Sequence, residues 1–190
     1  LAACSQPHIR LYVLLALHTL QRPKAILELR TTQVNLDAGH IDFHPDGEVQ
    51  TAKQRPVVPI TATLHPELVR AIRESLSGYV VEYHGRPVAK IRAGFDTARR
   101  AAGLSDDVTP YVLRHTGATL LAAAGVSMRQ ISGMLGHSHT RTTEIYAKHA
   151  PGFLGDAAST LDEVFGVPTR LEQQRLLPPA GRDENAEAIE

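Results

Sequence analysis

The chain has 190 residues, 43% of them hydrophobic, which is room for one main domain with a real core and excludes wholesale disorder. Its single cysteine, Cys4, excludes a disulfide scaffold or a Cys-cluster metal site and fits a reducing, intracellular setting. Its zero net charge is uneven: residues 1–150 carry 17 basic and 12 acidic side chains, +5, with all ten His, whereas residues 151–190 carry three and eight, −5. A mildly basic body permits phosphate binding without demanding it. The longest apolar run, Leu11–Leu17, is too short to cross a bilayer. The chain starts at Leu1, with no Met, basic n-region or cleavage site, and reads as a piece of something longer.

Residues 8–20 (HIRLYVLLALHTL) are apolar on nearly every face and predict the start of a buried helix. Pro23 is well placed to open a short second helix, KAILELR. Residues 39–60 switch to alternation around Pro45-Asp46-Gly47, a turn signal, and predict an antiparallel hairpin or three-stranded sheet. Helices are expected over Thr63–Ser75, ended by Gly78, and over Val88–Ala102, closed by Gly103. Another is expected over Tyr111–Ala124. Ser127 should cap the next, MRQISGML, which stops at Gly136. Thr140 or Thr142 should cap a further helix through Lys148, and Phe153–Phe165 a last one. From Gly166 on, the Pro-rich, acidic composition predicts a flexible tail.

Three clusters hold chemistry-bearing side chains: Thr19–Pro23 with Arg22, the hairpin with Lys53 and Arg55, and a long third segment with Arg114, His115, His137 and Tyr146. Each has an ordinary structural explanation taken singly: a cap or ion pair, a solvated edge lysine, a helix-end histidine, a core tyrosine. Together they are the parts for metal-free transesterification at a phosphodiester. Two guanidiniums can clamp the non-bridging oxygens, and a tyrosine hydroxyl can attack phosphorus. That phenol, with an ordinary pKa of about 10, needs a positive setting or a base. A lysine can protonate the leaving 5′-oxygen, and a histidine can hydrogen-bond the phosphate or carry a proton.

The string TPYVLRHTGATLLAAAGVSMRQISGMLGHSHTRTTEIYAKH strongly resembles the C-terminal box of the tyrosine recombinases, the phage integrase family: Arg114-His115-Thr116, then Leu135-Gly136-His137, then Tyr146 nine residues on. Thr19–Ala25 resembles the family's first box, and the hairpin ending in Val58-Pro59-Ile60 resembles its lysine-bearing strand pair. The resemblance implies an α+β, mainly α catalytic domain with a small antiparallel sheet over residues 1–165, followed by the acidic tail 166–190. It implies that Arg22 and Arg114 grip the scissile phosphate. Lys53 would be the general acid, His137 would assist at the phosphate, and Tyr146 would be the nucleophile. His115 is read as structural, packed beside Arg114. Three positions depart from the family pattern. Tyr111 stands where the family has its first His, and is a substitute able to hydrogen-bond a phosphate. Leu20 stands at a glycine, and Ala25 at an acidic residue, with Glu28 a differently placed substitute.

The implied reaction joins Tyr146 to a DNA strand as a 3′-phosphotyrosyl link, with neither cofactor, metal nor ATP. The implied partners are double-stranded DNA and, on it, three further copies in a homo-tetramer, with no membrane and a cytoplasmic location. The family's N-terminal helical domain is not in this chain, so weak DNA binding and a monomer are expected of it. Three other readings compete. A helix-turn-helix module, with residues 125–136 leading into a recognition helix over 139–146, leaves Arg22, Lys53 and Arg114 unexplained. A family member that binds DNA but cannot cut it is the second. A histidine metal site at His137, His139 and His149 lacks carboxylates at ligand spacing apart from Glu144.

Overall fold

A computed structural model describes residues 1–44, 55–137 and 140–165. The chain divides into two compact units, Leu1–Pro151 and Gly152–Glu190. Lys53, the Pro45-Asp46-Gly47 turn, His139 and the tail from Gly166 lie outside the described residues.

The first unit is built round α1 (Pro7–Thr19), with Pro7 in its first turn. Ile9, Leu11–Ala16 and Thr19 are all buried, so the helix has no true solvent face and forms the centre of the core. It ends at Leu20 in the left-handed conformation, φ 57°. α2 (Pro23–Leu27) follows immediately and is shorter than the predicted segment, ending at Glu28. β1 (Val34–Asn35), β2 (His40–Asp42) and β3 (Val57–Pro59) form an antiparallel sheet in that order. Ile41 sits opposite Val58, and both point into the core. The sheet is thus the three-stranded form of the expectation.

α3 (His65–Glu74) is tied to α1 by an Arg10–Glu67 ion pair at 3.2 Å. α4 (Arg92–Ala101) starts four residues later than predicted, because residues 82–87 form a small hairpin, β4 (Glu82–Tyr83) with β5 (Arg86–Pro87). Two-residue strands are too short to show alternation, so no sequence period announces them. Glu82 instead accepts hydrogen bonds from Leu76 and Ser77 and so holds the turn after α3.

α5 (Pro110–Ala123) packs against α1, and α6 (Met128–Leu135) packs on α5. Ser127 caps α6 through its hydroxyl, which accepts from the Gln130 N–H, and Gly136 ends it in the left-handed conformation at φ 62°. The predicted helix to Lys148 is a pair of 3₁₀ turns, Thr140–Thr142 and Glu144–His149. That corrects the helix-turn-helix reading. A 3₁₀ segment packed into the core, with Thr143 and Tyr146 buried, is not a recognition helix laid along a groove. In the second unit α7 runs Gly155–Phe165. No helix among the described residues is long and apolar enough to cross a membrane.

Candidate active site

The site is assembled from three chain segments that meet at the C-terminal end of α1. Thr19, the last residue of α1, donates its hydroxyl to the Leu15 carbonyl at 2.6 Å. Leu20 then turns the chain. A side chain is strained at positive φ, yet Leu20 is only 1% exposed and packs with Ala118, Ala122, Ile131, Leu135 and Tyr146. Its space comes from Gly117, where a methyl group would fall 2.3 Å from Leu20 Cδ2. Leu20, standing where the resembled family has a glycine, is thus accommodated by a glycine on the facing helix. Gln21, 1% exposed, donates to the Thr19 carbonyl at 2.9 Å and to the Met134 carbonyl at 2.7 Å, joining this turn to α6. Arg22 comes next, half-buried, at the start of α2.

Arg114 is the hub. It lies on α5, 6% exposed, and points inward. One guanidinium nitrogen donates to the Leu20 carbonyl at 2.5 Å. The other donates to the Leu135 carbonyl at 2.8 Å and to His137 Nε2 at 3.1 Å. A single side chain thus fixes the α1–α2 turn, the end of α6 and the histidine beyond it. Burial and the neighbouring Arg22 bring its pKa down to about 10, with Tyr146 and Tyr111 opposing. It stays a cation at neutral pH.

His137 follows the Gly136 turn. Since Nε2 accepts from Arg114, the ring proton of the neutral imidazole is on Nδ1, which donates to Thr143 Oγ1 at 2.9 Å. Burial, then Arg114, Arg22 and His115, push its pKa down to about 4. Folding therefore favours the neutral ring. The stability this brings is present above the ordinary value of 6.5 and is lost as pH falls toward 4. With solvent screening discounted, wild type should lose roughly 1 kcal/mol more than His137→Gln between pH 7 and pH 5. Urea unfolding midpoints at the two pH values measure this, and equal losses would refute it. His8, whose pKa is also lowered, is common to both proteins and cancels.

Tyr146 is 4% exposed in the second 3₁₀ turn. Burial raises its pKa, with Arg114 pulling the other way, so the phenol keeps its proton at neutral pH. Its hydroxyl lies 2.6 Å from His115 Nδ1. His115 was read from the sequence as a structural neighbour of Arg114; the structure places it against the phenol instead. Tyr111 is 54% exposed in the first turn of α5, close enough to Arg22 and Arg114 to favour their charged forms.

Arg55 stands beside Arg22 and, after burial and the opposing Tyr111, lowers its pKa. Glu28 binds Arg55 at 2.6 Å and Lys24 at 3.4 Å. The carboxylate considered as a substitute for the one missing at Ala25 is thus engaged with Arg55, and Ala25 is buried in the core. Four of the five expected catalytic residues, Arg22, Arg114, His137 and Tyr146, come together. The fifth, Lys53, is outside the described residues. Sequence reasoning missed the contributions of Gln21, Thr143 and His115, whose polar atoms face partners 6 to 113 residues away.

The phage integrase family model matches residues 1–152. The chain belongs to the phage integrase family. The tyrosine recombinase XerA of Thermococcus kodakarensis is 36% identical over 146 residues, 73% of this chain and 50% of that protein. The tyrosine recombinase XerD of Lacticaseibacillus casei is 29% identical over 136 residues, 66% of this chain and 45% of that one. This integrase-family chain spans about half the length of the curated relatives it matches. The crystal structure of XerA recombinase superposes with a TM-score of 0.65 at 23% identity, covering 84% of this chain and 58% of that one, a likeness of fold. The catalytic domain of bacteriophage HP1 integrase gives 0.60 at 26% identity, covering 88% of this chain and 92% of that one. The mainly helical fold with small antiparallel sheets is therefore that of the family's catalytic domains.

Proposed function

We propose that this chain is the catalytic part of a site-specific DNA recombinase, which cuts and rejoins strands through a covalent 3′-phosphotyrosyl intermediate. The observation that carries the reading is the clustering of Arg22, Arg114, His137 and Tyr146, drawn from segments more than 120 residues apart, with two guanidiniums among them. The Tn1549 transposon integrase, whose fold is similar with a TM-score of 0.64, has been solved in complex with circular intermediate DNA.

In this reading a backbone phosphate seats against Arg22 and Arg114, whose fixed positive charge stabilises the added negative charge of the transition state. The exposed Tyr111 hydroxyl donates to a phosphate oxygen, in place of the histidine found there in the family. The arriving anion favours a protonated His137, which then donates to a non-bridging oxygen. The Tyr146 oxygen attacks phosphorus in line, and the 5′-oxygen leaves with a proton from Lys53. A second strand's 5′-hydroxyl then attacks the phosphotyrosine and releases Tyr146. One phosphoester is exchanged for another at each step, so no ATP is consumed. Metal is dispensable because guanidiniums supply the positive charge. The chain acts in the cytoplasm on double-stranded DNA, four copies to a pair of sites. The exposed Phe153, Leu154 and Leu161 supply apolar side chains for docking on a neighbouring copy.

A duplex nicked just beyond the cleavage point tests this, since loss of the short 5′-hydroxyl fragment traps the intermediate. The expected result is a protein–DNA adduct that survives denaturant and maps by proteolysis to the peptide holding Tyr146. A chain that binds the duplex and forms no adduct would leave DNA binding as its only role.

A further inference from the structure

We propose that His115 is the general base for Tyr146: its Nδ1 takes the phenolic proton as the tyrosine oxygen attacks phosphorus. The inference rests on the recombinase reading and adds a catalytic residue to it. Position 111, where the family's first histidine would stand, is a tyrosine here, and the reaction needs a group to take the phenolic proton.

Geometry selects the acceptor. His115 Nδ1 lies 2.6 Å from the Tyr146 hydroxyl, within the reach expected of a base. The two rings are tilted by 45° with centroids 6.0 Å apart, so the contact is through the polar edge rather than a stack. With the phenol donating, the neutral imidazole carries its own proton on Nε2. His115 is exposed, so the charge it gains faces water rather than the core. The helix explains the division of labour. Successive residues on α5 are turned by about 100°, so Arg114 points inward while His115 flanks the 3₁₀ turn that bears Tyr146.

The other candidates are less suited. His137 has Nε2 turned to Arg114 and Nδ1 to Thr143, and its proton affinity is strongly depressed. Tyr111 bears a phenol rather than an imidazole.

The proton balance closes without a further reactant. As the Tyr146 O–P bond forms, the O–H bond breaks and its proton goes to Nδ1, while the P–O5′ bond breaks and the 5′-oxygen takes a proton from the general acid. In the rejoining step a 5′-hydroxyl attacks and its proton goes to the deprotonated general acid, the O5′–P bond forms, the Tyr146 O–P bond breaks, and the imidazolium returns its proton to the departing phenolate. One group thus serves as base in one direction and acid in the other.

Single-turnover cleavage of the nicked duplex at saturating protein tests the assignment, with gel-shift affinity measured in parallel. His115→Ala should slow cleavage by about 100-fold or more while DNA affinity changes less than about twofold. Added imidazole should restore the rate in proportion to its free-base concentration, and should restore nothing to Tyr146→Phe. His115→Asn keeps a hydrogen-bond acceptor near the Nδ1 position but takes no proton, and should be as slow as the alanine variant. It also serves if His115→Ala does not fold. Wild-type rates in His115→Ala or His115→Asn, or a slow alanine variant that imidazole does not rescue, would overturn the assignment while leaving the recombinase reading intact. Absence of any adduct with wild type would overturn both.

Discussion

Tyr146→Phe is expected to remove the covalent adduct completely, a fall on the order of 10⁴-fold or more in the trapping assay, because the proposed attacking atom itself is deleted. Its effect on the fold should be small. The ring is 4% exposed and packs with Leu20, Ala118, Ala122, Ile131 and Leu135, all contacts a phenylalanine retains. What is lost is one hydrogen bond, to His115, worth about 1 kcal/mol. The variant should therefore melt close to wild type and bind the same duplex with the same affinity. That pairing separates chemistry from folding, and an adduct that persists in the phenylalanine variant would place the nucleophile elsewhere.

Arg114→Lys should be the most damaging conservative change, and it should damage stability and cleavage together. The guanidinium reaches the Leu20 carbonyl, the Leu135 carbonyl and His137 Nε2 at once, from two nitrogens set apart by a rigid plane. An ammonium is a single point and cannot span those acceptors. At least one buried carbonyl loses its partner, at about 1–3 kcal/mol each, so the variant should be destabilised by roughly 2–4 kcal/mol. The tie between the α1–α2 turn and the end of α6 is cut as well. His137 then loses its tie to Arg114 beside the proposed phosphate seat. Cleavage should fall on the order of 10²–10³-fold beyond any loss from unfolding. Urea denaturation and single-turnover cleavage, both at a temperature where the variant is folded, measure the two effects. Wild-type stability in Arg114→Lys would mean that the carbonyl contacts carry no energy.

Much of this arrangement was legible in the chain. The long helices announce themselves through apolar faces and through their punctuation. Pro7, Pro23 and Pro110 stand in first turns, Ser127 caps, and Gly136 stops. The grouping of Arg22, Arg114, His137 and Tyr146 was readable because each sits in a short motif that resembles a box of the phage integrase family. The small hairpin at 82–87 was not readable, since two-residue strands have no period. The segment over Thr140–His149 misled because its polar and apolar residues suit a helix, whereas packing Thr143 and Tyr146 into the core tightens it into 3₁₀ turns.

The sequence alone determined the helix ends and named Arg22, Arg114, His137 and Tyr146 as candidates, because helix punctuation and the motifs that carry the family resemblance are local properties of the chain. Only the tertiary structure decided who holds whom. It made Leu20 rather than glycine tolerable by setting Gly117 across from it, engaged Glu28 with Arg55, and set His115 against the phenol. Those outcomes depend on approaches between residues 27 to 97 positions apart, and no local pattern encodes which faces of two helices will meet.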